Sequence, residues 1–213
     1  MGKLHVGSAA VKRLLLGAGG APGGTPPTFI SSALDTLGSV ATGDLVLLKL
    51  VNSAGAAGEA PSGWTRFATH LDGHGFGHAL YSSLYAEGNA AANHTNFPVN
   101  LGYFATAVYR GSAPLSVLQV GAYDQTTSAE ITAPALANPT GASSALLAFW
   151  SSRDNGNNML TYAGMTSRLY VTNPPTYFAL RILEELGVQS GTRSFSGIIG
   201  SGFVDTVNMI EIG

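Results

Sequence analysis

Short apolar segments separated by turn residues recur along most of this chain. Residues 45–51 form a continuous apolar run with Lys49 inside it, and residues 144–151 form a second run of the same kind. Runs of this length, bounded by Gly, Pro, Asn and Asp, are typical of strands buried in a β-core. About a dozen such segments at roughly even spacing predict an all-β fold, an antiparallel β-sandwich or jelly roll.

The same order of segments occurs twice, in residues 43–111 and in residues 144–212. Each copy contains an apolar strand, a loop, a short Gly-x-Thr segment that ends near an Arg, and a second strand that closes at Gly. The matching entries into the strands are residues 63–66 and 164–168. An internal repeat indicates the architecture before any single residue does. It predicts two similar meander halves whose faces close one core.

The N-terminal part has a different pattern. Residues 3–9 and 13–19 each contain a basic residue, a short apolar strand and a Gly turn, which predicts a β-hairpin that needs a partner surface for stability. Gly and Pro dominate residues 21–28, as in a flexible linker. The sequence therefore predicts a terminal segment over residues 1–20, a linker over 21–28 and a β-sandwich domain over 29–213.

Charge is scarce, and this limits the possible partners. Charged residues make up 10% of the chain and the net charge is −2, whereas soluble domains usually contain roughly 25% charged residues. A neutral surface favours a homo-oligomer that buries its exterior against other copies. Without a basic stripe we expect no nucleic-acid partner. Because polar residues break up the longest uncharged stretch, we expect no membrane insertion either.

The motifs of common enzymes are missing from the sequence. It has no Cys, no Gly-x-Ser-x-Gly elbow and no phosphate-binding loop, and its acidic residues are scattered. We therefore expect no enzyme and no cofactor. The strongest metal candidate is His70, His74 and His78, spaced four residues apart around Asp72. The glycines between them favour instead a flexible turn that happens to contain histidines.

Aromatic residues offer a possible binding surface for sugars. Trp64 and Tyr103 are the candidates for stacking against a sugar ring, although aromatic side chains in strands more commonly belong to the core. A second interpretation of Trp64 is that it closes one end of the β-sandwich.

Four segments resemble proteins of one class. They are Gly43-Asp-Leu-Val, Pro61-Ser-Gly-Trp-Thr, Leu80-Tyr-Ser-Ser-Leu-Tyr and Ala105-Thr-Ala-Val-Tyr-Arg-Gly111. Their order is similar to that in virion structural proteins of tailed bacteriophages, the β-sandwich subunits of tail fibres, tail spikes and head fibres or spikes. The N-terminal segment also resembles the short β-element with which many phage appendage proteins begin. The family supplies no catalytic residues.

The resemblance implies a location in the virion and a role in assembly. Residues 1–20 would attach to other virion proteins of the capsid or tail, with Leu4, Val6, Leu14 and Leu16 as the anchoring positions. Residues 29–213 would form a homo-oligomer, with a trimer favoured, and a glycan on the host surface is a further candidate partner. The alternative is a carbohydrate-binding module or lectin-like domain without catalysis.

Overall fold

The structure is a computed structural model, and it describes residues 11–19, 41–52, 55, 59–60, 62–86, 102–111, 114–126, 130–133, 136, 145–152, 161–162, 165–173, 178–186, 193–196 and 205–213. Within these residues the chain is all-β, which confirms that part of the predicted fold class. They contain no helix that is long and apolar enough to cross a membrane.

Thirteen strands are described. In chain order they are β1 Val11–Gly19, β2 Leu45–Asn52, β3 Thr65–Leu71, β4 Gly77–Leu84, β5 Gly102–Gly111, β6 Val117–Thr126, β7 Glu130–Ala133, β8 Ala145–Ser152, β9 Thr161–Tyr162, β10 Thr166–Asn173, β11 Phe178–Leu186, β12 Arg193–Ser196 and β13 Asp205–Ile212. They form two five-stranded sheets and one three-stranded sheet, and every strand pair is antiparallel.

The two large sheets have the strand orders β1-β5-β2-β4-β3, here called the first sheet, and β10-β11-β8-β13-β6, here called the second sheet. Neither order is the simple up-and-down meander that the repeat predicts, because β2 lies between β4 and β5, and β8 lies between β11 and β13. The central position follows from composition: all eight residues of β2 and of β8 are buried. A strand that is apolar on both faces is stable only where other elements cover both.

One buried cluster takes its side chains from both large sheets. In β2 it uses alternate residues such as Leu45, Leu47 and Val51, and in β8 it uses Leu147 and Phe149. Side chains in a strand alternate between its two faces, so these residues define the facing sides of the sheets. The inner faces of the two sheets therefore share one core, and we use "inner face" in this sense below.

Each large sheet also buries apolar side chains on its other face. On the first sheet these include Leu48 and Trp64, and on the second sheet they include Trp150, which packs with Leu136 and Met165 from connecting segments. Coverage on both faces explains why the central strands lack the polar alternation of a half-exposed strand.

Strand β1 belongs to the first sheet, where it pairs with β5 along the edge. Residues 13–19, the second half of the predicted hairpin, are thus part of a sheet whose other strands lie between residues 45 and 111. Leu14 and Leu16 lie in β1, but their side chains are outside the described part, and Leu4 and Val6 lie outside the described residues altogether. The hairpin and its anchoring role stay predictions, as does the linker over residues 21–28.

Candidate functional site: a buried polar cluster between the sheets

Polar side chains gather on the inner faces, at the end of the sheets near the β3–β4 hairpin. We call this group the buried polar cluster. Its members are Lys49, His70, Asp72, His78, Tyr123, Ser151, Thr206 and Asn208. The cluster takes residues from both large sheets, although they lie far apart in the sequence.

The turn between β3 and β4 fixes the position of Asp72. Its Oδ1 accepts hydrogen bonds from the backbone N–H groups of His74 (2.8 Å) and Phe76 (3.0 Å). The N–H of Gly75 also donates to the carbonyl of Asp72, at 2.9 Å. Gly75 has a φ of 80°, which glycine adopts without the steric cost that other residues carry. The turn therefore holds one carboxylate oxygen and leaves Oδ2 for a partner on β4.

That partner is His78, which connects the turn to the second sheet. His78 Nε2 lies 3.0 Å from Asp72 Oδ2, and His78 Nδ1 lies 3.2 Å from Ser151 Oγ. Ser151 Oγ lies in turn 2.6 Å from Thr206 Oγ1. An ionised carboxylate only accepts, so Nε2 carries the proton and donates to Asp72. Nδ1 then accepts from the Ser151 hydroxyl, and the Thr206 hydroxyl donates to Ser151.

Stacked rings close the cluster on the side of strands β3 and β6. The rings of His70 and His78 are 4.6 Å apart between centroids, with an angle of 12° between their planes. The His70 ring also stacks on Tyr123 of β6, with centroids 3.5 Å apart. His70 Nε2 is buried and has no hydrogen-bond partner among the described residues. The stack therefore joins the edge strands of the two sheets through ring contacts.

Lys49 and Asn208 form another buried polar contact between the two sheets. The Lys49 amine donates to Asn208 Oδ1 at 2.6 Å, and each residue is only 1% exposed. Burial lowers the pKa of Lys49 from 10.5 to about 7, although attraction to the Asp72 carboxylate opposes that change. Near neutral pH the amine is therefore present in both its charged and its neutral form.

The remaining ionisable groups also favour particular protonation states. Burial, and then repulsion from Lys49, lowers the pKa of His78 to about 4, so its imidazole is neutral at pH 7. The same two causes lower the pKa of His70 to about 2. Burial by itself would raise the pKa of Asp72, but hydrogen bonds from His78 and from two backbone N–H groups outweigh it and lower the value to about 2. The cluster thus contains neutral imidazoles beside an ionised carboxylate.

Ser151, His78 and Asp72 have the residue types of a catalytic triad, and their burial decides what they can do. A serine nucleophile must reach its substrate and must have a base that takes its proton. Ser151 is only 1% exposed, and its oxygen lies within hydrogen-bonding distance of Thr206. In this geometry the three side chains satisfy one another's hydrogen bonds inside the core. Their chemistry is that of a polar connection between two sheets.

A second polar contact joins the inner faces away from the cluster. Tyr109 of β5 donates from its hydroxyl to Glu184 Oε2 of β11 at 3.1 Å. Arg168 Nε donates to the other oxygen of Glu184 at 2.9 Å. Because Glu184 is buried, these bonds replace the hydration that its carboxylate loses on folding.

The three histidines that the sequence singles out have different environments. His70 is half-buried and stacks on the buried His78, whereas His74 is exposed in the turn. Both nitrogens of His78 already face protein partners. Across the described part of the chain, no group of three or more His, Cys, Asp or Glu residues is arranged to hold a metal ion.

Of the two candidates for sugar stacking, Trp64 has a described side chain. Trp64 is 6% exposed and packs against Leu48 and Tyr81, so its ring is not presented to solvent. Tyr103 lies in β5, and its side chain is outside the described part. Trp64 belongs to the buried cluster on the outer face of the first sheet, and its role in closing one end of the β-sandwich stays a prediction.

Sequence reasoning missed Ser151, Thr206 and Asn208 as members of a site. Lys49 gave a signal, since a lysine inside a continuous apolar run is unusual, but its partner is 159 residues away. Asp72 and His78 lie in the histidine segment that the sequence did single out.

An open groove lies on the side of the sheets where β3 and β6 are the edge strands, with a volume of about 370 Å³. Its lining combines hydroxyl groups with aliphatic side chains, namely Leu45, Gly63, Thr65, Ser82, Ser83, Leu84, Leu115, Ser116 and Val117. The groove is separate from the buried polar cluster.

The fold and site define an all-β protein with two antiparallel sheets that share a core and a buried polar cluster. Comparison of the chain with protein-family models, with curated proteins and with solved structures gave no match.

Proposed function

We propose that this protein is a non-enzymatic structural subunit of a tailed-bacteriophage virion. It would belong to an appendage, a tail fibre or spike or a head fibre or spike, and would assemble by packing of β-sandwich domains. The observation that carries the non-enzymatic part is the burial of the Ser151–His78–Asp72 chain in the shared core. The phage assignment rests on the resemblance of the sequence segments.

We also propose that the domain is a β-sandwich of two similar halves. When the strands of each large sheet are numbered in chain order, both sheets have the spatial order 1-5-2-4-3. Strands β1 to β5 of the first sheet therefore correspond, in that order, to β6, β8, β10, β11 and β13 of the second. The sequence repeat aligns β2 with β8 and β4 with β11, the same pairs that this order matches. Strands β7, β9 and β12, which form the small third sheet, would then be additions to the second half.

The proposed oligomer is supported by the character of the surface. Leu118 and Val120 on the edge strand β6 are 41% and 40% exposed, and Tyr170 on the edge strand β10 is also exposed. Exposed apolar residues on an edge strand favour pairing with another chain unless charge opposes it, and this chain has little charge. A homo-oligomer, with a trimer favoured, would cover such edges.

Two measurements test the proposal. Analytical ultracentrifugation of the purified chain should give an oligomer, and Leu118→Ser with Val120→Ser should shift it towards the monomer. Leu84→Ser, on an exposed residue of the interior strand β4, should not. Immunogold labelling of particles from a phage that encodes the chain should mark an appendage. A monomer at all concentrations would contradict the assembly, and absence from purified particles would contradict the virion role.

A second candidate, binding of a neutral sugar, has one observation in its favour. The groove lined by Thr65, Ser82 and Leu84 offers hydroxyl groups and aliphatic surface without a charge, a combination that suits a sugar ring. A glycan array probed with the wild-type chain and with Ser82→Tyr, which would fill the groove, tests this candidate. Binding that the variant loses supports it, and an array without signal rejects it.

A further inference from the structure

Lys49 and Asn208 occupy positions that favour a reaction between them. Strand β2, which carries Lys49, lies inside the first sheet between β5 and β4, and β13, which carries Asn208, lies inside the second sheet between β8 and β6. The Lys49 amine and Asn208 Oδ1 are 2.6 Å apart, so the carbonyl carbon of the amide is one bond beyond the contact. Both side chains are enclosed, which holds the two reacting groups together.

The pairing is unusual for a buried lysine. Buried lysines are normally paired with a carboxylate, because an unpaired charge in the core costs much free energy. Here the hydrogen bond described for the amine goes to a neutral carboxamide. The oxygens of Asp72, the nearby carboxylate, face His78 and backbone N–H groups instead. Burial without a carboxylate bonded to the amine favours its neutral form, which has a lone pair available.

A neutral amine is a nucleophile. Lysines become reactive when an apolar environment removes their proton, and burial lowers the pKa of Lys49 to about 7. Fixed proximity adds to this, because two groups held in contact react far faster than the same groups free in solution. Both conditions are met at this contact.

We propose that Lys49 and Asn208 form an intramolecular isopeptide bond that links the two sheets covalently. In this reaction the Lys49 Nζ lone pair attacks Cγ of Asn208, and the C=O electron pair moves to the oxygen. A proton passes from the attacking nitrogen to the amide nitrogen. The C–N bond to that nitrogen then breaks as the carbonyl reforms. The products are one secondary amide and one molecule of ammonia, and no oxidant, cofactor or second substrate is needed.

The surroundings stabilise the intermediate on this path. The attacking nitrogen is transiently positive, and the Asp72 carboxylate attracts positive charge at Lys49. Asp72 is ionised, so it supplies this attraction without a proton of its own. We assign it the role of a positioning residue, which acts through the charge on Lys49.

The bond would close a large loop, since its two residues are 159 positions apart. It would prevent the sheets from separating even after the core has opened. A cross-link of this length also reduces the freedom of the unfolded chain, as a disulfide does, and the absence of Cys leaves the chain no disulfide for that purpose. The inference is independent of the proposed virion role.

Intact-protein mass spectrometry of the denatured, purified chain is the decisive experiment. We expect a mass lower than that of the sequence by one ammonia, and a branched peptide after proteolysis that contains both Lys49 and Asn208. In freshly made protein, the fraction that has reacted should grow faster as the pH rises through the pKa of Lys49. A chain of full sequence mass after prolonged incubation above that pH would overturn the proposal.

Two variants separate this reaction from other losses of ammonia. Lys49→Met fills the same space with an apolar side chain, and Asn208→Ala removes the carboxamide, so each should restore the full mass of its own sequence. Lys3→Met, a change at a lysine outside the described residues, should keep the lower mass. If Asn208→Ala still lacks one ammonia, the loss comes from another residue and the proposal is wrong. The branched peptide from the wild-type chain decides the question even if a variant does not fold.

Discussion

The Nδ1 atom of His78 lies 3.2 Å from the hydroxyl oxygen of Ser151, and this contact joins strand β4 of the first sheet to strand β8 of the second. Because the other imidazole nitrogen faces Asp72, one side chain connects a surface turn to the centre of the opposite sheet. The stability of the sheet pairing should therefore depend on the protonation of His78.

Acidification should destabilise the fold in a defined pH range. The pKa of His78 is about 4 in the folded chain and 6.5 ordinarily, so the folded state binds fewer protons between these values. The contribution of His78 to the free energy of unfolding is then fully present above pH 6.5. It is lost as the pH falls towards 4, by about 1.4 kcal/mol per pH unit. The lowered pKa of His70 acts in the same direction.

Thermal unfolding followed by circular dichroism across this pH range measures the effect. The other ionisable groups that face the imidazoles are Lys49, Asp72 and Tyr123, and the lowered pKa of Asp72 adds a loss of stability only below pH 3.8. His78→Gln should reduce the dependence between pH 6.5 and 4 and leave the part that His70 contributes, whereas His74→Gln, at the exposed turn, should leave the dependence unchanged. A wild-type midpoint that does not change over this range would contradict the prediction.

The Asp44 carboxylate should contribute more than an exposed acidic residue. It accepts hydrogen bonds from Arg110 Nε (2.7 Å), from Arg110 Nη2 (2.8 Å) and from the backbone N–H of Ala41 (2.7 Å), and it is 2% exposed. We expect Asp44→Ala to cost about 2 kcal/mol, because bonds to charged groups are strong and their partners would be left unsatisfied. Urea unfolding of the variant gives the value.

Glu59 provides the matched control for Asp44. Its contact with Arg66 is longer, at 3.3 Å, and its side chain is 92% exposed. Solvent screens such a pair, so Glu59→Ala should change stability by less than about 0.5 kcal/mol. Equal losses of stability in Asp44→Ala and Glu59→Ala would show that burial of the Asp44 carboxylate does not determine how much it contributes.

Leu147 should be among the costly positions of the shared core. It lies on the inner face of β8 and is fully buried with side chains from both large sheets. Leu147→Ala removes three carbon atoms and leaves a cavity, which costs about 3 kcal/mol at such a site. Leu71→Ala, on an exposed residue of β3, should cost less than about 0.5 kcal/mol in the same urea unfolding experiment. A reversed order would contradict the assignment of the inner faces.

The turn that positions Asp72 should be sensitive to its glycine. A side chain at Gly75 would meet no atom within 4 Å, so the cost of Gly75→Ala comes from its φ of 80° alone. We expect about 1 kcal/mol of destabilisation, measured by urea unfolding. Gly75→Asn should cost less, because asparagine tolerates the left-handed region better than alanine does. If both variants retain wild-type stability, the turn does not depend on that backbone geometry.

The sequence by itself determined the type of structure. Apolar runs bounded by turn residues predicted strands, and the runs that became β2 and β8 were long and apolar enough to predict strands buried in a β-core. The segment from His70 to His78 was recognisable as a turn from its glycines, and its histidines made it the strongest metal candidate. Lys49 stood out in its apolar run for a similarly local reason.

Only the tertiary structure decided which of these residues meet. Alternation along a strand tells which residues share a face, but it does not tell which strand lies opposite. Lys49 meets Asn208, and His78 meets Ser151, because the packing of the inner faces sets the alignment of one sheet on the other. The order of strands within each sheet likewise depends on burial of the most apolar strand at the centre. Contacts between residues that are distant in sequence arise from that global packing, so local patterns could not supply them.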